Sequence, residues 1–272
     1  MPLTLEIRTT TTAPISLEEV TPAALEKLST SHVERLAIQH GNRRTPLGEL
    51  FKVSGNAADG ELRLLGQLAG VHWIGARMEQ GTVRVEGDAG RHIGSQMRGG
   101  VICVSGSAGD YAGVEMRGGQ IHVRGGVGEQ AGGAYPGSRR GMRGGALLVD
   151  GNAGSELGRS MRRGIIAVGG STEAAPGYDM IAGTIVIGGE CGRWPGGGMR
   201  RGTLIACGDP PELLPTFRWA CRQSPVFLQL LRGELLRRGF ANADALLSRQ
   251  EWDVFNGDLT TIGKGEILAR AR

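Results

Sequence analysis

Lysine is nearly missing from this chain. It occurs only at Lys27, Lys52 and Lys264, so arginine supplies almost all of the 31 cations behind a net charge of +4. Aromatic residues make up 4 % of the sequence, so any core must come from Val, Ile, Leu, Ala and Met. The four cysteines, Cys103, Cys191, Cys207 and Cys221, include no Cys-x-x-Cys pair, which leaves a zinc ribbon or dithiol site without support. The five histidines form no His-x-His or His-Glu-x-x-His set. No apolar run approaches the roughly 18 residues of a membrane span, and MPLTLEIRTTTT has no apolar segment of a secretion signal. A cytoplasmic protein with reduced thiols is expected. The cations are dispersed and not interleaved with aromatics, which argues against a nucleic-acid partner.

Glycine and methionine are what the chain has. Glycine accounts for 48 of 272 residues, with no Gly-X-Y period of the collagen type. After Met1, the methionines are Met78, Met97, Met116, Met142, Met161, Met180 and Met199, spaced 19, 19, 26, 19, 19 and 19 residues apart. Each closes a unit that begins with a short β-type run. In that run the second position is Val83, Ile102, Ile121, Leu147, Ile166, Ile185 or Leu204, and the fourth is Val85, Val104, Val123, Val149, Val168, Ile187 or Ala206. Period-two burial of this kind marks a strand with one face inward. Glycine follows the run and recurs three residues before most methionines, where a turn through positive φ needs no Cβ.

A 19-residue period is too short for a helical hairpin repeat, and its Gly and β-branched content opposes helix. It predicts a mainly β fold: a right-handed parallel β-helix of seven to eight coils over 61–208. In that arrangement the methionines form a buried ladder. Residues 1–60 are expected to be a small α/β N-terminal cap. It contains the strand LTLEIR and two helical pieces around Pro22, with Ser16 and Thr21 as caps; 32–41 is a strand or a short helix. Residues 209–272 are expected to be a helical C-terminal extension. A helix at 224–239 is capped by Ser224 and carries an apolar face of Phe227, Leu228, Leu231, Leu235 and Leu236. Another follows at 242–250, and then an extended pair turns at Asn256-Gly257.

No catalytic constellation is visible. Glu86 and Glu115 lack in-register acidic companions, Asp88 and Asp110 do not recur in register, and His72 and His92 have no third ligand. Two surface ladders stand out. Arg98, Arg117, Arg143, Arg162 and Arg200 each follow a methionine, with Arg163 and Arg201 as doublets and Ile181 as an interruption. Their stems either cover apolar surface with the heads in water or form an anion or acidic-partner face. The third strand position reads Arg84, Cys103, His122, Leu148, Ala167, Val186, Ile205. The apolar part, Leu148, Ala167, Val186 and Ile205, is a candidate interface covered by the chain's own C-terminal helix or by another subunit.

The run GDAGRHIGSQMRGGVICVSGSAGDYAGVEMRGGQIHVRGGVGEQAG resembles the Gly-rich repeat of the C subunit of formylmethanofuran dehydrogenase, a repeat shared with the C-terminal domain of the glutamate synthase large subunit. The resemblance covers about 50–208, and the flanks also fit the dehydrogenase family. It implies a noncatalytic scaffold in one of two settings. One is the bacterial formyltransferase/hydrolase complex of methylotrophs, which moves formyl from formyl-tetrahydromethanopterin to a methanofuran-type carrier and hydrolyses it to formate. The other is a molybdenum or tungsten dehydrogenase. The Arg-rich, Lys-poor composition favours the first. The implied partners are a formyltransferase, a zinc amidohydrolase-like subunit and a molybdopterin-enzyme-like subunit. The carrier, tetrahydromethanopterin and zinc are expected on those partners, with no cofactor in this chain. The carrier's acidic polyglutamate tail is one ligand the arginine ladder would suit. A glutamate-synthase-type module and an independent enzyme acting on an acidic polymer remain as alternatives.

Overall fold

The computed structural model describes residues 2–8, 12–248 and 251–271. The chain is mainly β, built on one sheet of 13 strands. Ten run parallel in one stack: Leu3–Ile7, Glu61–Leu65, Thr82–Glu86, Val101–Val104, Gln120–Val123, Arg143–Val149, Arg163–Val168, Thr184–Ile187, Arg201–Ala206 and Lys264–Arg270. Phe51–Ser54 closes one edge antiparallel, and Trp252–Gly257 and Arg218–Gln223 extend the other. The register is that of the sequence period: Val83 pairs with Ile102, Ile102 with Ile121, Ile121 with Leu147, and so on to Leu204. The second and fourth side chains of each run are at most 1 % exposed.

The segments between strands stack too. Parallel bridges join Leu68, Ala89, Ala108, Val127, Ala153 and Thr172 in a second column. Backbone hydrogen bonds such as Gly113 N to the Ile93 carbonyl and Arg117 N to the Met97 carbonyl link successive repeats. Asp88, Ser107, Asn152 and Ser171 each accept, through a side-chain oxygen, the amide of a residue one repeat later. Their shared property is acceptor capacity, so a search for recurring aspartate alone passes over this ladder.

The methionines and glycines explain one another. All seven repeat methionines are buried. The Cε of Met78 lies 2.8 Å from where a Cβ on Gly100 would sit, Met97 Cε 2.6 Å from that of Gly119, and Met116 Cε 2.7 Å from that of Gly145. Each methyl therefore fills the place of the missing side chain one repeat later. These glycines also have positive φ. Left-handed backbone is not confined to glycine: Trp73, His92, Tyr111, Gln130, Glu156, Ala175 and Trp194 occupy one such column.

The flanks depart from several expectations. The extension after 208 is not simply helical, because it contributes three strands to the sheet. Lys264–Arg270 acts as one more rung: Gly265 pairs with Gly202, and Met199 Cε lies 2.7 Å from where a Cβ on Gly265 would sit. The connection between the last two strands is 258–263, not Asn256-Gly257, which lies inside Trp252–Gly257. The helix begins at Phe227 with Val226 at its N-cap, and Ser224 does not cap it. Leu228, Leu231 and Leu235 are its buried face, whereas Phe227 and Leu236 point outward. The next helix is Ala243–Leu247, and the end of the expected 242–250 segment lies outside the described residues. At the N-terminus Thr21 caps Pro22–Leu25 as expected, but Ser16 belongs to the strand Ile15–Ser16. The ambiguous 32–41 segment is divided: helix Thr30–Glu34 takes its start and strand Ala37–His40 its end.

Leu148, Ala167, Val186 and Ile205 are fully buried beneath Leu228, Leu231, Leu235, Phe240 and Trp252. The cover over this face is therefore the chain's own C-terminal segment. Leu235 touches it with no exposure, and Leu235→Ala is expected to cost about 2–5 kcal/mol. A urea unfolding curve with an unchanged midpoint would show that the helix does not stabilise the sheet.

Candidate functional site

The residues after the methionines stand just before or at the start of the strands, where Arg143 is half-buried and Arg162, Arg163, Arg200 and Arg201 are exposed. There Arg143, Arg162, Arg163, Arg200 and Arg201 line an open groove of about 580 Å³, with Ile181, Ala182 and Ile262 as its apolar part. Arg143 pairs in register with Arg163, and Arg201 with Lys264, so the final strand adds another cation beside the row. Sequence reasoning missed Lys264. The signal was the likeness of KGEILA to RGTLIA, the strand before it.

The candidate arginines do not all share this site. Arg98 lies outside the groove lining and donates to Glu79 at 2.8 Å. Arg117 is exposed and near Arg143. Among the described residues, none of Arg117, Arg143, Arg162, Arg163, Arg200 and Arg201 has a carboxylate within ion-pair distance, although Glu115 lies near enough to act on Arg143. Arg143 is the most constrained. Its Nε is buried without a partner. Burial lowers its pKa, and Arg117, Arg140 and Arg162 push the same way against Glu115. Arg140 comes from 132–141, the loop that lengthens one repeat. Planar guanidinium forks spaced by one strand separation, about 4.8 Å, suit a ligand carrying several carboxylates, each bound through two N–H donors.

A second cluster stands on the left-handed column. His92 stacks between Trp73, at 4.2 Å between ring centroids, and Tyr111, at 5.0 Å. Tyr135, from the long loop, shares its hydroxyl with His92 Nδ1 at 3.0 Å and Ser95 Oγ at 2.8 Å. Burial, opposed by the Ser95 hydrogen bond, raises the Tyr135 pKa to about 12. Burial lowers the pKa of both His92 and His72. His72 and His92 are near neighbours, yet His72 Nδ1 accepts the Arg91 amide and His92 faces Tyr135, so they do not converge on a common point. Among the described residues no three His, Cys, Asp or Glu side chains are grouped to hold a metal ion. Glu115 is buried and accepts from Gln96 Nε2. On the outer sheet face, His122 binds Asp150 at 3.0 Å, and Asp150 also binds Arg124.

The Tyr135 cluster anchors the loop. Tyr135→Phe removes both hydrogen bonds and is expected to speed proteolytic cleavage within 136–140 severalfold while the sheet persists; equal cleavage rates would refute the anchoring role. The histidines give a pH dependence of known sign. Their folded-state pKa lies below the ordinary 6.5, so on acidification the unfolded chain takes up the proton first. Stability is therefore full above about pH 6.5 and declines as pH falls toward the folded-state values. His92→Gln should flatten that slope in melts recorded from pH 7.5 to 5.

Fold and groove together define a repeat-built, mainly β protein with a cationic flank. Its structure matches a chain of the formyltransferase/hydrolase complex (FhcABCD) from Methylorubrum extorquens, solved in complex with methylofuran. The TM-score is 0.90 and the identity 40 %, over 99 % of this chain and 100 % of that one. The chain therefore belongs to the family of that component of the complex. No family model and no curated protein matches it. No helix among the described residues is long and apolar enough to cross a membrane.

Proposed function

We propose that this chain is the noncatalytic, Gly-rich repeat component (the C subunit) of a bacterial formyltransferase/hydrolase complex in cytoplasmic one-carbon metabolism. Its repeats wind as a right-handed parallel β-helix that serves as the scaffold. The observation that carries this reading is the full-length match at 40 % identity to a chain of such a complex. The parallel register and the second column of bridges support the β-helix. Formyl transfer from tetrahydromethanopterin to the carrier and hydrolysis to formate belong, on this reading, to a formyltransferase partner and a zinc amidohydrolase-like partner, beside a molybdopterin-enzyme-like subunit. The groove of Arg143, Arg162, Arg163, Arg200 and Arg201 holds the acidic polyglutamate tail of a methanofuran-type carrier. That ligand supplies the carboxylates these arginines lack among the described residues.

Mild purification of the tagged chain from its host, with mass spectrometry of the co-purifying proteins, tests the assignment. A formyltransferase and a zinc amidohydrolase-like chain in fixed ratio are expected. A metal-loaded molybdopterin enzyme in place of the hydrolase would move the chain to the dehydrogenase branch. Glutaminase and synthase partners, or no companion at all, would overturn the proposal.

A further inference from the structure

All the large apolar side chains left exposed among the described residues fall at or beyond Tyr178. The earlier repeats expose none. Some of the late ones lie on the outer face of the helix Phe227–Arg237. Others lie on two segments, 178–201 and 258–263, that hydrogen bonds join: Gly198 N donates to Asp258 Oδ2 and Asp258 N to the Met199 carbonyl. The Tyr178 ring, the Leu214 side chain and the Trp194 carbonyl all lie within 3.6 Å of where a Cβ on Gly197 would stand. Leu259 N donates to the Thr216 carbonyl, and Thr261 Oγ1 donates to the Met199 carbonyl. These bonds pin the loop that carries Ile262 into the wall of the arginine groove, beside Arg200 and Arg201.

We propose that this corner, centred on Trp194 and Ile262, is a docking surface for another subunit of the complex. That subunit presents apolar side chains bordered by carboxylates. The inference rests on the complex membership argued above and adds where the contact lies. Three observations carry it. Trp194 is 57 % exposed, Leu259 55 % and Ile262 53 %, an apolar group that water disfavours and a partner would bury. Trp194 occupies the same column as Trp73, but Trp73 stacks on His92 whereas the preceding member of the column at Trp194 is Ala175. Among the described residues no aromatic ring stacks on Trp194 as His92 stacks on Trp73. The rim is also cationic: Arg193, exposed beside Trp194 and outside the arginine groove, has no carboxylate within ion-pair distance among the described residues, so charge complementarity selects an acidic border on the partner and disfavours a second copy of this arginine-rich surface.

The test is made on the whole complex, purified through a tag on this chain and weighed by native mass spectrometry. Trp194→Glu with Ile262→Glu is compared with Leu230→Glu, which charges the helix face instead. Trp194→Ser with Ile262→Ser serves as a milder pair if the glutamates lower the melting temperature of the chain. The corner variants are expected to lose at least one different subunit, with retention down tenfold or more, while Leu230→Glu keeps the full set. A full set with the corner variants would overturn the proposal, as would loss confined to a second copy of this chain, or loss with Leu230→Glu alone. A wild-type chain that brings no partner overturns complex membership itself. That outcome is distinguishable from an intact complex that ignores the corner.

Discussion

Reversing Arg162 and Arg200 together to glutamate is expected to cut retention of the proposed polyanionic carrier by the complex by at least about 100-fold. Each guanidinium offers charge-assisted hydrogen bonds worth about 1.5–3 kcal/mol, and about 1.4 kcal/mol corresponds to a factor of ten. The folded chain itself should be unharmed. Both residues are exposed lining of the groove and neither has an acidic partner among the described residues, so the change relieves like-charge repulsion and breaks no ion pair. Melting temperature should hold or rise slightly at low salt. Carrier per complex, measured by mass spectrometry, and kcat/KM for formyl transfer should fall together, and the ionic-strength dependence of carrier retention should flatten. Arg162→Lys with Arg200→Lys should fall between, because an ammonium keeps the charge but loses the planar fork. Unchanged carrier content and turnover in the reversed variant would remove the groove from the proposed function.

Gly119→Ala is expected to be a costly single-methyl change in the repeat. Gly119 has φ +84°, and a Cβ there would stand 2.6 Å from Met97 Cε and 2.7 Å from the Gly100 carbonyl oxygen. Left-handed backbone costs a residue with a Cβ about 1–2 kcal/mol, and overpacking adds about 1–3 kcal/mol. A loss of about 3 kcal/mol corresponds to a fall in Tm of roughly 6–12 °C at this size. Met97→Ala should cost about 2–5 kcal/mol through the cavity it leaves. The two are not independent. In the double variant the methyl that clashed is gone and the alanine fills part of the vacated space. The combined loss should therefore be smaller than the sum by about 1 kcal/mol or more. Strict additivity would mean that the methionine and the glycine are not matched across successive turns.

The Met–Gly pairing also shows how far the sequence could be read. The 19-residue spacing and the second and fourth strand positions were legible because strict repetition forces like residues into register, and every one of those side chains is buried. The arginine row was legible for the same reason. Its division was not. Arg98 pairs with Glu79 one repeat earlier, whereas Arg143, Arg162 and Arg200 open on a common groove. That difference depends on which loops reach the corner, and Ile262 arrives there from a loop about sixty residues beyond Arg200. The aromatic stack was missed because its members are one Trp, one His and two Tyr of unlike type. Trp73, His92 and Tyr111 share a backbone conformation, and Tyr135 enters from the lengthened loop.

The sequence by itself determined the repeat, its inward face, its buried methionines and the glycines that the turns require. These are local properties, set by chain period and by whether a Cβ fits. Only the tertiary structure decided what the flanks do. It placed Lys264–Arg270 as a further rung, laid Leu228, Leu231 and Leu235 over Leu148, Ala167, Val186 and Ile205, and left Trp194 and Ile262 uncovered. An apolar ladder states that it must be buried, but hydrophobic burial is non-directional. Which segment buries it is settled by the path of the remaining chain.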